Sequence, residues 1–599
     1  MLSTSSCSKT IIRENLTRYW AVPAMGLLGL LMVGLIPMLI SYRSFQFVAG
    51  YAISVVSGSS FAINFVITIL AVVASSVVFS YLHNPVSSNT MHAMPVRRKG
   101  LFASAYVSGW IMTALPIVIF PMFLMIARGA KSNAKLDKET MEALTLLVGE
   151  IRGAKDIFTL PHILGFIITS LVVATFVYSL ACLAAVLSGR SVIHVLLALF
   201  LMILPNTLVL EADAICGGYL FGFRGLDINL ARINALNYAA DKEAFAVDIG
   251  YLLYYLALSA IIVAVSVFIY KKIKLERIGN ATTFPVIGDV LAALLAVMCA
   301  IGFAHMLAWI GSDGNTVESA KKFAAIAVIS SILFYIIMRM IADSSFSVFN
   351  MKNFAKYGIC LAIIAVILAF TAFDITGYGK WVPSDSSVAS VHVDSSFPNS
   401  VIEVEADFKD AKTIEAFANL QQAAINEKGN ERPENYYSDT FNLTWTLKDG
   451  SKKTRSFEAV AAKGFDESTA AMKAVYDSEE YRDKMHIDIK AEVEKSKRIR
   501  YMTYSAKDAM EDYVDIKKED WEGVLEAVDK DLSSRSFDKV YKIAENAENE
   551  EEEDFSDDID IEVEYKDAKS FDEISAKTYS VHKGENNLRN FLKEKGYIK

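Results

Sequence analysis

Apolar residues fill most of the first 373 positions, in runs long enough to cross a membrane. A membrane-spanning helix needs roughly 20 mostly apolar residues, and nine runs meet that requirement. The pattern therefore predicts a polytopic α-helical membrane protein, with spans at residues 22–41, 61–82, 102–126, 162–188, 192–210, 249–270, 286–309, 323–342 and 354–373.

Three shorter stretches lie between or before these spans. Residues 8–20 place Ile11 and Leu16 on one helical face, which predicts a helix in the membrane interface leading into the first span. Residues 214–223 are apolar, rich in glycine and too short to cross. They favour either a re-entrant hairpin or an ordinary loop, and both remain open. Residues 139–152 predict a short amphipathic surface helix.

After residue 373 the pattern changes to short alternating runs separated by amphipathic helical stretches, which predicts an α+β domain with mostly antiparallel pairing. The turn Asp449-Gly450 between two alternating runs is a strong hairpin signal. The motif at 402–412 recurs loosely at 561–569. A duplicated strand–helix unit would explain this recurrence, but convergent patterning explains it more simply. Strands are predicted at 388–393, 401–408, 441–447, 453–457, 498–505 and 559–565, and helices at 410–426, 466–484, 519–532 and 586–595.

Charge is divided in the same way as hydropathy. Residues 1–373 hold 26 Lys+Arg and 17 Asp+Glu, whereas residues 374–599 hold 33 and 51. This division excludes a single soluble globule and a disordered chain. It also excludes a nucleic-acid binder, because there is no basic soluble surface to neutralise phosphates. The acidic run at 545–560 is interpreted as a solvated loop rather than a cation site.

Residues that carry chemistry are sparse. The five cysteines have neither zinc-site nor redox spacing, and we find no arrangement typical of nucleophilic or metal-dependent hydrolysis. The sequence also lacks the Gly-x-x-x-x-Gly-Lys-Ser/Thr pattern of a P-loop. We therefore predict that the chain is not an enzyme and binds no metal or other cofactor itself.

The distribution of basic residues in the loops predicts the orientation. The densest basic clusters, Arg97–Lys99 and Lys271–Lys272, fall on the side that also carries the N-terminus. Basic residues are enriched in cytoplasmic loops, so the N-terminus is predicted to be cytoplasmic. Nine crossings then place residues 374–599 outside the cell.

The loop between the second and third predicted spans carries the most informative motif. Residues 92–98 read His-Ala-Met-Pro-Val-Arg-Arg. This resembles the "His-Ser-Leu-Pro-Ile-Lys-Arg" segment in the first cytoplasmic loop of ABC-2-type transporter permeases of Gram-positive bacteria. The resemblance implies that the segment docks on a separate ATPase subunit, and the implied coupling residues are His92, Met94, Pro95, Arg97 and Arg98.

Two further segments resemble the same permeases. The basic stretch 271–284 is similar to their cytoplasmic segment after span six. Residues 374–383, together with the hairpin at 446–455, are similar to the start of the extra C-terminal domain of the long Firmicutes-type members. The resemblance implies an interfacial helix at 1–20, a six-span ABC-2-like core at 21–270, three additional spans at 271–373 and an acidic extracytoplasmic domain at 374–599.

The resemblance implies the membrane-spanning subunit of an ATP-driven ABC exporter in a Gram-positive plasma membrane. Its expected partners are an ABC ATP-binding subunit, which would bind the ATP, and a second permease copy, identical or homologous, within the lipid bilayer. The alternative is a membrane-anchored sensor that binds an extracellular ligand. A soluble Walker-type ATPase encoded next to this chain would favour the exporter, and a neighbouring kinase would favour the sensor.

Overall fold

The computed structural model divides the chain into two compact units. The first comprises residues 1–211, 227–302 and 329–363, and the second comprises residues 212–226, 303–328 and 364–599. The structure describes residues 8–40, 45–130, 154–226, 228–310, 316–343, 345, 346, 348–384, 387–395, 397, 404–430, 432, 433, 436–503, 512–538, 559–565, 576–581 and 585–598. The amphipathic helix predicted at 139–152 lies outside these residues, as does the acidic run up to residue 558.

Helices account for most of the described residues before 371. In chain order they are α1 (Lys9–Arg18), α2 (Ala21–Leu30), α3 (Ile36–Ile40), α4 (Phe45–Ser57), α5 (Phe61–Val78), α6 (Pro85–Ala93), α7 (Arg98–Ala130), α8 (Ala154–Ile157), α9 (Leu160–Leu187), α10 (Ser191–Tyr219), α11 (Ala235–Asp241), α12 (Ile249–Lys271), α13 (Pro285–Ile310), α14 (Thr316–Asp343) and α15 (Met351–Phe370).

Within the described residues, nine helical segments are long and apolar enough to cross a membrane. The prediction of a multi-pass helical protein is confirmed at this level. The segments are Ala21–Ile40, Ala49–Val78, Arg98–Ile126, Leu160–Leu187, Ser191–Tyr219, Ile249–Lys271, Pro285–Ala308, Ala320–Asp343 and Met351–Phe370.

Seven segments agree with the predicted spans to within four residues at each end, and two differ by more. The second begins at Ala49 rather than 61, because α4 and α5 follow each other with only a short break at Gly58, whose φ is +82°. The fifth continues to Tyr219, so residues 214–219 form a helix end. The re-entrant hairpin and the ordinary loop predicted for residues 214–223 are therefore both wrong for this part.

The predicted helix before the first span is present as α1. Its Ile11 is buried, and its polar groups bind α7: the Ser8 N–H donates to Ser104 Oγ at 2.8 Å, and Asn15 Nδ2 donates to Ser108 Oγ at 2.9 Å. Ser104 and Ser108 therefore allow α7 to pack against α1 although α1 is partly polar, because each donor at the contact has a hydrogen-bond acceptor.

Charged residues join the last three helices of the first unit. Arg339 of α14 donates to Asp289 of α13 and binds Asp343 at 2.7 Å, and Lys356 of α15 lies 2.7 Å from the second oxygen of Asp289. These charged residues lie near the ends of their helices, where long side chains can extend to the membrane interface. The structure shows that they also neutralise one another across three helices.

Among the residues described after 383, the second unit contains two four-stranded antiparallel sheets and six helices. The strands are β1 (Val388–Ser395), β2 (Val404–Phe408), β3 (Tyr437–Leu447), β4 (Lys452–Ala461), β5 (Ser496–Thr503), β6 (Asp512–Asp515), β7 (Ile559–Tyr565) and β8 (Ala576–Val581), and the helices are α16 (Ala411–Glu427), α17 (Asp466–Tyr476), α18 (Glu479–Met485), α19 (Ile489–Lys495), α20 (Trp521–Ser533) and α21 (Asn587–Glu594). The predicted α+β pattern is present, but the helix predicted at 466–484 is two helices, α17 and α18, and β6, β8 and α19 were not predicted.

The two sheets repeat one topology. The strand order is β2-β1-β3-β4 in the first sheet and β6-β5-β7-β8 in the second. In each, a strand pair is followed by a helix, a second strand pair and another helix. The described elements therefore form two copies of one strand–helix arrangement, but the loosely recurring motif at 402–412 and 561–569 does not mark corresponding positions in them. Residues 404–408 form the edge strand β2, which corresponds to β6, whereas β7 occupies the interior position of β3.

Candidate functional site

Three loops that the sequence places on the cytoplasmic side pack together in the first unit. The turn after α9 pairs with the segment after α12: the Gly189 N–H donates to the Ala281 carbonyl at 3.1 Å, and the Gly279 N–H donates to the Gly189 carbonyl at 3.0 Å. A Cβ at Gly189 would collide with the carbonyl oxygen of Asn280, so only glycine permits this approach. These contacts hold residues 187–190 against 279–283 beside α6.

The first half of the predicted coupling loop is the helix α6. Asn84 starts it, since its side-chain oxygen accepts from the N–H groups of Val86 at 2.9 Å and Ser87 at 3.4 Å, and Pro85 occupies the first helical position. The helix ends at Ala93, and Met94 takes an extended conformation. Extended backbone is the usual conformation of a residue that precedes a proline, and Met94 is followed by Pro95.

His92 is half-buried and directed toward α12. Its Nδ1 lies 2.8 Å from the Ser88 carbonyl, which requires a proton on that nitrogen, and its Nε2 lies 3.1 Å from the Tyr270 hydroxyl at the end of α12. Burial lowers the pKa of His92, and the nearby Arg98 charge acts in the same direction. A neutral His92 therefore links α6 to the end of α12.

Arg98 also binds the end of α12. Its Nη1 donates to the carbonyls of Lys271 and Ile273, each at 3.1 Å. Carbonyls at a helix C-terminus lack intrahelical donors and attract cations. Arg98 is the first residue of α7, so this contact connects α7 and α12 directly.

The other three predicted coupling residues are exposed. Met94, Pro95 and Arg97 lie on the surface between α6 and α7. Val86, on α6, is 76% exposed, and the sequence interpretation missed it. The structure thus divides the five residues into an inward pair, His92 and Arg98, and an outward-facing group next to a further exposed apolar side chain.

A buried histidine pair lies beside this region and was also missed from the sequence. His83 Nε2 lies 3.2 Å from Ser188 Oγ, and its ring centroid is 5.1 Å from that of His194. Burial lowers the pKa of His83 to about 4. The sequence did contain a feature that pointed to His83, because this residue directly precedes the motif loop. Its contact with the turn after α9, however, depends on the fold and could not be predicted from the sequence.

In the second unit, the two segments that carried the C-terminal resemblance contact each other. The Arg455 guanidinium of the hairpin lies 3.8 Å from the Tyr378 ring centroid and 4.9 Å from that of Trp381. Asp374 fixes the intervening turn by accepting from the Gly379 N–H at 2.9 Å. Burial lowers the pKa of Arg455, and the aromatic rings offset part of that burial cost.

No protein-family model, curated protein or solved structure matches this chain. In the part of the chain that the structure describes, no group of three or more His, Cys, Asp or Glu side chains could hold a metal ion. The region consists of a short helix, α6, that is bonded through His92 to the end of α12 and carries the exposed side chain of Val86.

Proposed function

We propose that this chain is the permease subunit of an ATP-driven exporter of the ABC-2 type, whose ATPase is a separate polypeptide. The plasma membrane of a Gram-positive bacterium is its proposed location, with the N-terminus inside and the C-terminal domain outside. The permease would act as a dimer, with an identical or homologous copy. The observation that carries the proposal is the arrangement of α6, which is exposed on one side and bonded through His92 to the end of α12 on the other, where Arg98 of α7 also binds.

This arrangement suits mechanical coupling. An ATPase that contacts Val86, Met94 and Arg97 would press on a helix whose last turn is bonded to α12 through His92, while Arg98 joins the start of α7 to the same end of α12. Because both residues bind the end of α12, a displacement of α6 would be passed to that long helix and to α7. Apolar anchors surrounded by charge are also typical of protein interfaces.

The first prediction concerns docking. Arg97→Glu should weaken association with the partner ATPase about tenfold or more, because an exposed interface charge is reversed. The measurement is co-purification of the tagged full-length chain with the ATPase encoded beside it, quantified over a salt series. Lys352→Glu reverses an exposed charge at the start of α15, on the same predicted side, and should leave the association unchanged.

Arg98→Glu should behave differently from Arg97→Glu. It removes two hydrogen bonds to α12 and should lower the thermal stability of the permease whether or not an ATPase is bound.

Equal ATPase binding by wild type and Arg97→Glu, with both correctly inserted, would refute the docking role of Arg97.

The second prediction concerns topology. Asn89→Cys on α6 should be protected from a membrane-impermeant maleimide in intact cells and should react after permeabilisation, whereas Ser451→Cys in the β3–β4 hairpin should react in both. Both positions are exposed, whereas the neighbouring Ser88 is buried and would report burial instead of sidedness. Each variant is compared with the same chain lacking the introduced cysteine, and the reverse labelling pattern would contradict the proposed orientation.

The alternative proposal is a membrane-anchored receptor, and one observation favours it: the second unit contains a cavity of about 510 Å³. A cavity of this size is typical of small-molecule sites. The two proposals differ in their dependence on an ATPase. Stimulation of ATP hydrolysis by the reconstituted chain would support the exporter, and ligand binding without any ATPase partner would support the receptor.

A further inference from the structure

The strand β4 forms one edge of the first sheet in the second unit, and among the described strands it pairs with β3 alone. In an antiparallel pair, the backbone groups of successive residues point alternately toward the partner strand and away from it. The turn fixes this alternation, because the Leu447 N–H donates to the Ser451 carbonyl at 2.8 Å. The even-numbered residues of β4 therefore direct their N–H and C=O groups away from β3.

One of these outward groups is already paired. The Ser456 N–H donates to the Gly222 carbonyl at 3.1 Å, in the segment that follows α10. In the same segment, the Phe221 ring stacks on Phe457 of β4, with ring centroids 6.2 Å apart. The protein thus covers the middle of the β4 edge with one backbone hydrogen bond and one aromatic contact.

The next two outward positions are uncovered. Among the described residues, no hydrogen bond uses the backbone N–H or C=O of Glu458 or Val460. Both residues line a cavity of about 510 Å³ within the second unit. The unpaired backbone groups of an edge strand are a template for a further extended segment. This edge therefore offers two donors and two acceptors to whatever enters the cavity.

The rest of the cavity lining restricts what can pair there. It includes residues 217–223 and 372–373 and the loops beside α16 and α17. The volume lies within the range of roughly 300–1,000 Å³ that small-molecule sites occupy, which suits a short segment rather than the sheet of a second copy. The rings of Phe221, Phe457 and Phe465 line the cavity, and they favour an apolar side chain on the bound segment.

We propose that this cavity binds a short extended peptide, which adds a strand to the free part of the β4 edge. The peptide backbone would accept from the N–H groups of Glu458 and Val460 and donate to their C=O groups. In this mode of recognition, main-chain hydrogen bonds provide the affinity and pockets for alternate side chains provide the specificity. The inference concerns the second unit alone and does not rest on ATP-driven transport.

The test compares two probes that differ in their backbone. One is the neutral peptide Thr-Val-photoleucine-Val-Thr, acetylated and amidated at its ends, and the other has ester links in place of its backbone amides. The ester analogue keeps the side chains but lacks the N–H donors. The full-length chain in phosphatidylcholine nanodiscs is irradiated with each probe over a concentration series, and the labelled segments are identified by mass spectrometry.

The peptide should label residues 217–223 and 456–468 at concentrations at least about tenfold lower than the ester analogue, because two backbone hydrogen bonds are lost in the analogue. A lipid or another amphiphile bound by apolar contact alone would not require those donors. The comparison therefore tests strand addition itself, and not only whether the cavity is accessible.

Two variants of the chain should weaken the labelling. Val460→Pro removes an outward N–H and should weaken it about tenfold or more. Its control Thr454→Pro removes an outward N–H from the same strand at an exposed position that does not line the cavity. Proline is tolerated on edge strands where the N–H is not used in the ladder, so Thr454→Pro should be labelled like wild type.

Gly217→Leu adds a side chain to the cavity wall without touching β4, since a Cβ there would meet no heavy atom within 4 Å. Gly358→Leu is its control, because Gly358 is also helical, has open space around it and lies outside the cavity. Gly217→Leu should weaken labelling by the peptide, and Gly358→Leu should not. If Val460→Pro is thermally less stable than Thr454→Pro, the ester comparison and Gly217→Leu decide the question.

Equal labelling by the peptide and its ester analogue would overturn the proposal, because the cavity would then take an apolar molecule without strand addition. Labelling confined to segments other than 217–223 and 456–468 would also overturn it. So would undiminished labelling in both Val460→Pro and Gly217→Leu.

Discussion

Replacing Glu585 with alanine is expected to destabilise the end of the second unit by about 3–5 kcal/mol. Glu585 and Arg535 form a bidentate pair, with Nε–Oε1 and Nη2–Oε2 distances of 2.6 Å, and their side chains are only 1% and 3% exposed. Removing the carboxylate leaves the guanidinium buried without its countercharge, and the cost of that state exceeds the net value of the intact pair.

Glu585 precedes α21, and Arg535 follows α20. The same two helices are joined by Asp531, which accepts from the N–H groups of Asn587 at 3.1 Å and Leu588 at 2.8 Å. Loss of Glu585 should therefore loosen α21 first. Hydrogen exchange of the full chain in nanodiscs measures this directly, and protection in peptides covering 521–538 and 585–598 should fall by two to four orders of magnitude.

A nearby exposed ion pair provides the control. Asp538 lies three residues from Arg535 and pairs with Lys473 at 3.0 Å, with side chains 71% and 47% exposed. Exposed pairs contribute about 0–1 kcal/mol, so Asp538→Ala should change protection less than tenfold. Similar losses in the two variants would show that the burial of the Arg535–Glu585 pair is not what stabilises this region.

Many regular elements of this chain were predictable because each has a strong local period. The strand predicted at 559–565 matches β7 residue for residue, and the Asp449-Gly450 signal lies at the β3–β4 turn, where Gly450 has a φ of +84°. In both cases the local residues are sufficient: side chains that alternate between two faces, and a glycine where a left-handed conformation is required.

The end of α10 was not predictable in the same way. Glu211 and Asp213 interrupt the apolar run, so hydropathy ends the span at 210. The fold keeps the helix intact to Tyr219, and the Asp213 carboxylate accepts from the Leu226 N–H at 2.6 Å. That partner is 13 residues away, beyond the reach of any periodicity argument.

The duplication and the coupling segment show a similar limit. Matching motifs aligned β2 with β7, whereas strand order aligns β3 with β7, because an amphipathic strand looks alike at an edge or in the interior. The motif likewise grouped His92 and Arg98 with Met94, Pro95 and Arg97. Only the position of α12 separates the inward residues from the exposed ones.

Acidification is expected to open the region around His83. Its Nε2 donates toward the Ala185 carbonyl and Ser188 Oγ, at 3.4 and 3.2 Å, and its buried Nδ1 has no hydrogen-bond partner among the described residues. Protonation would place a second N–H where nothing accepts it, next to the His194 ring. Burial accordingly lowers the pKa of His83 to about 4 from an ordinary value of 6.5.

The sign of the pH effect follows from proton uptake. Between pH 6.5 and about 4, His83 is protonated in the opened state but stays neutral in the folded state. The folded state therefore loses stability as the pH falls through this window. The stabilisation is complete above pH 6.5, and its loss amounts to about 2–4 kcal/mol.

Hydrogen exchange of residues 79–98, corrected for intrinsic rates, should show that loss in wild type. His83→Gln should remove most of the pH dependence, because its amide does not titrate, whereas His392→Gln, at a surface histidine 3.0 Å from Asp407, should retain it. An acid response of unchanged size in His83→Gln would assign the opening to another group.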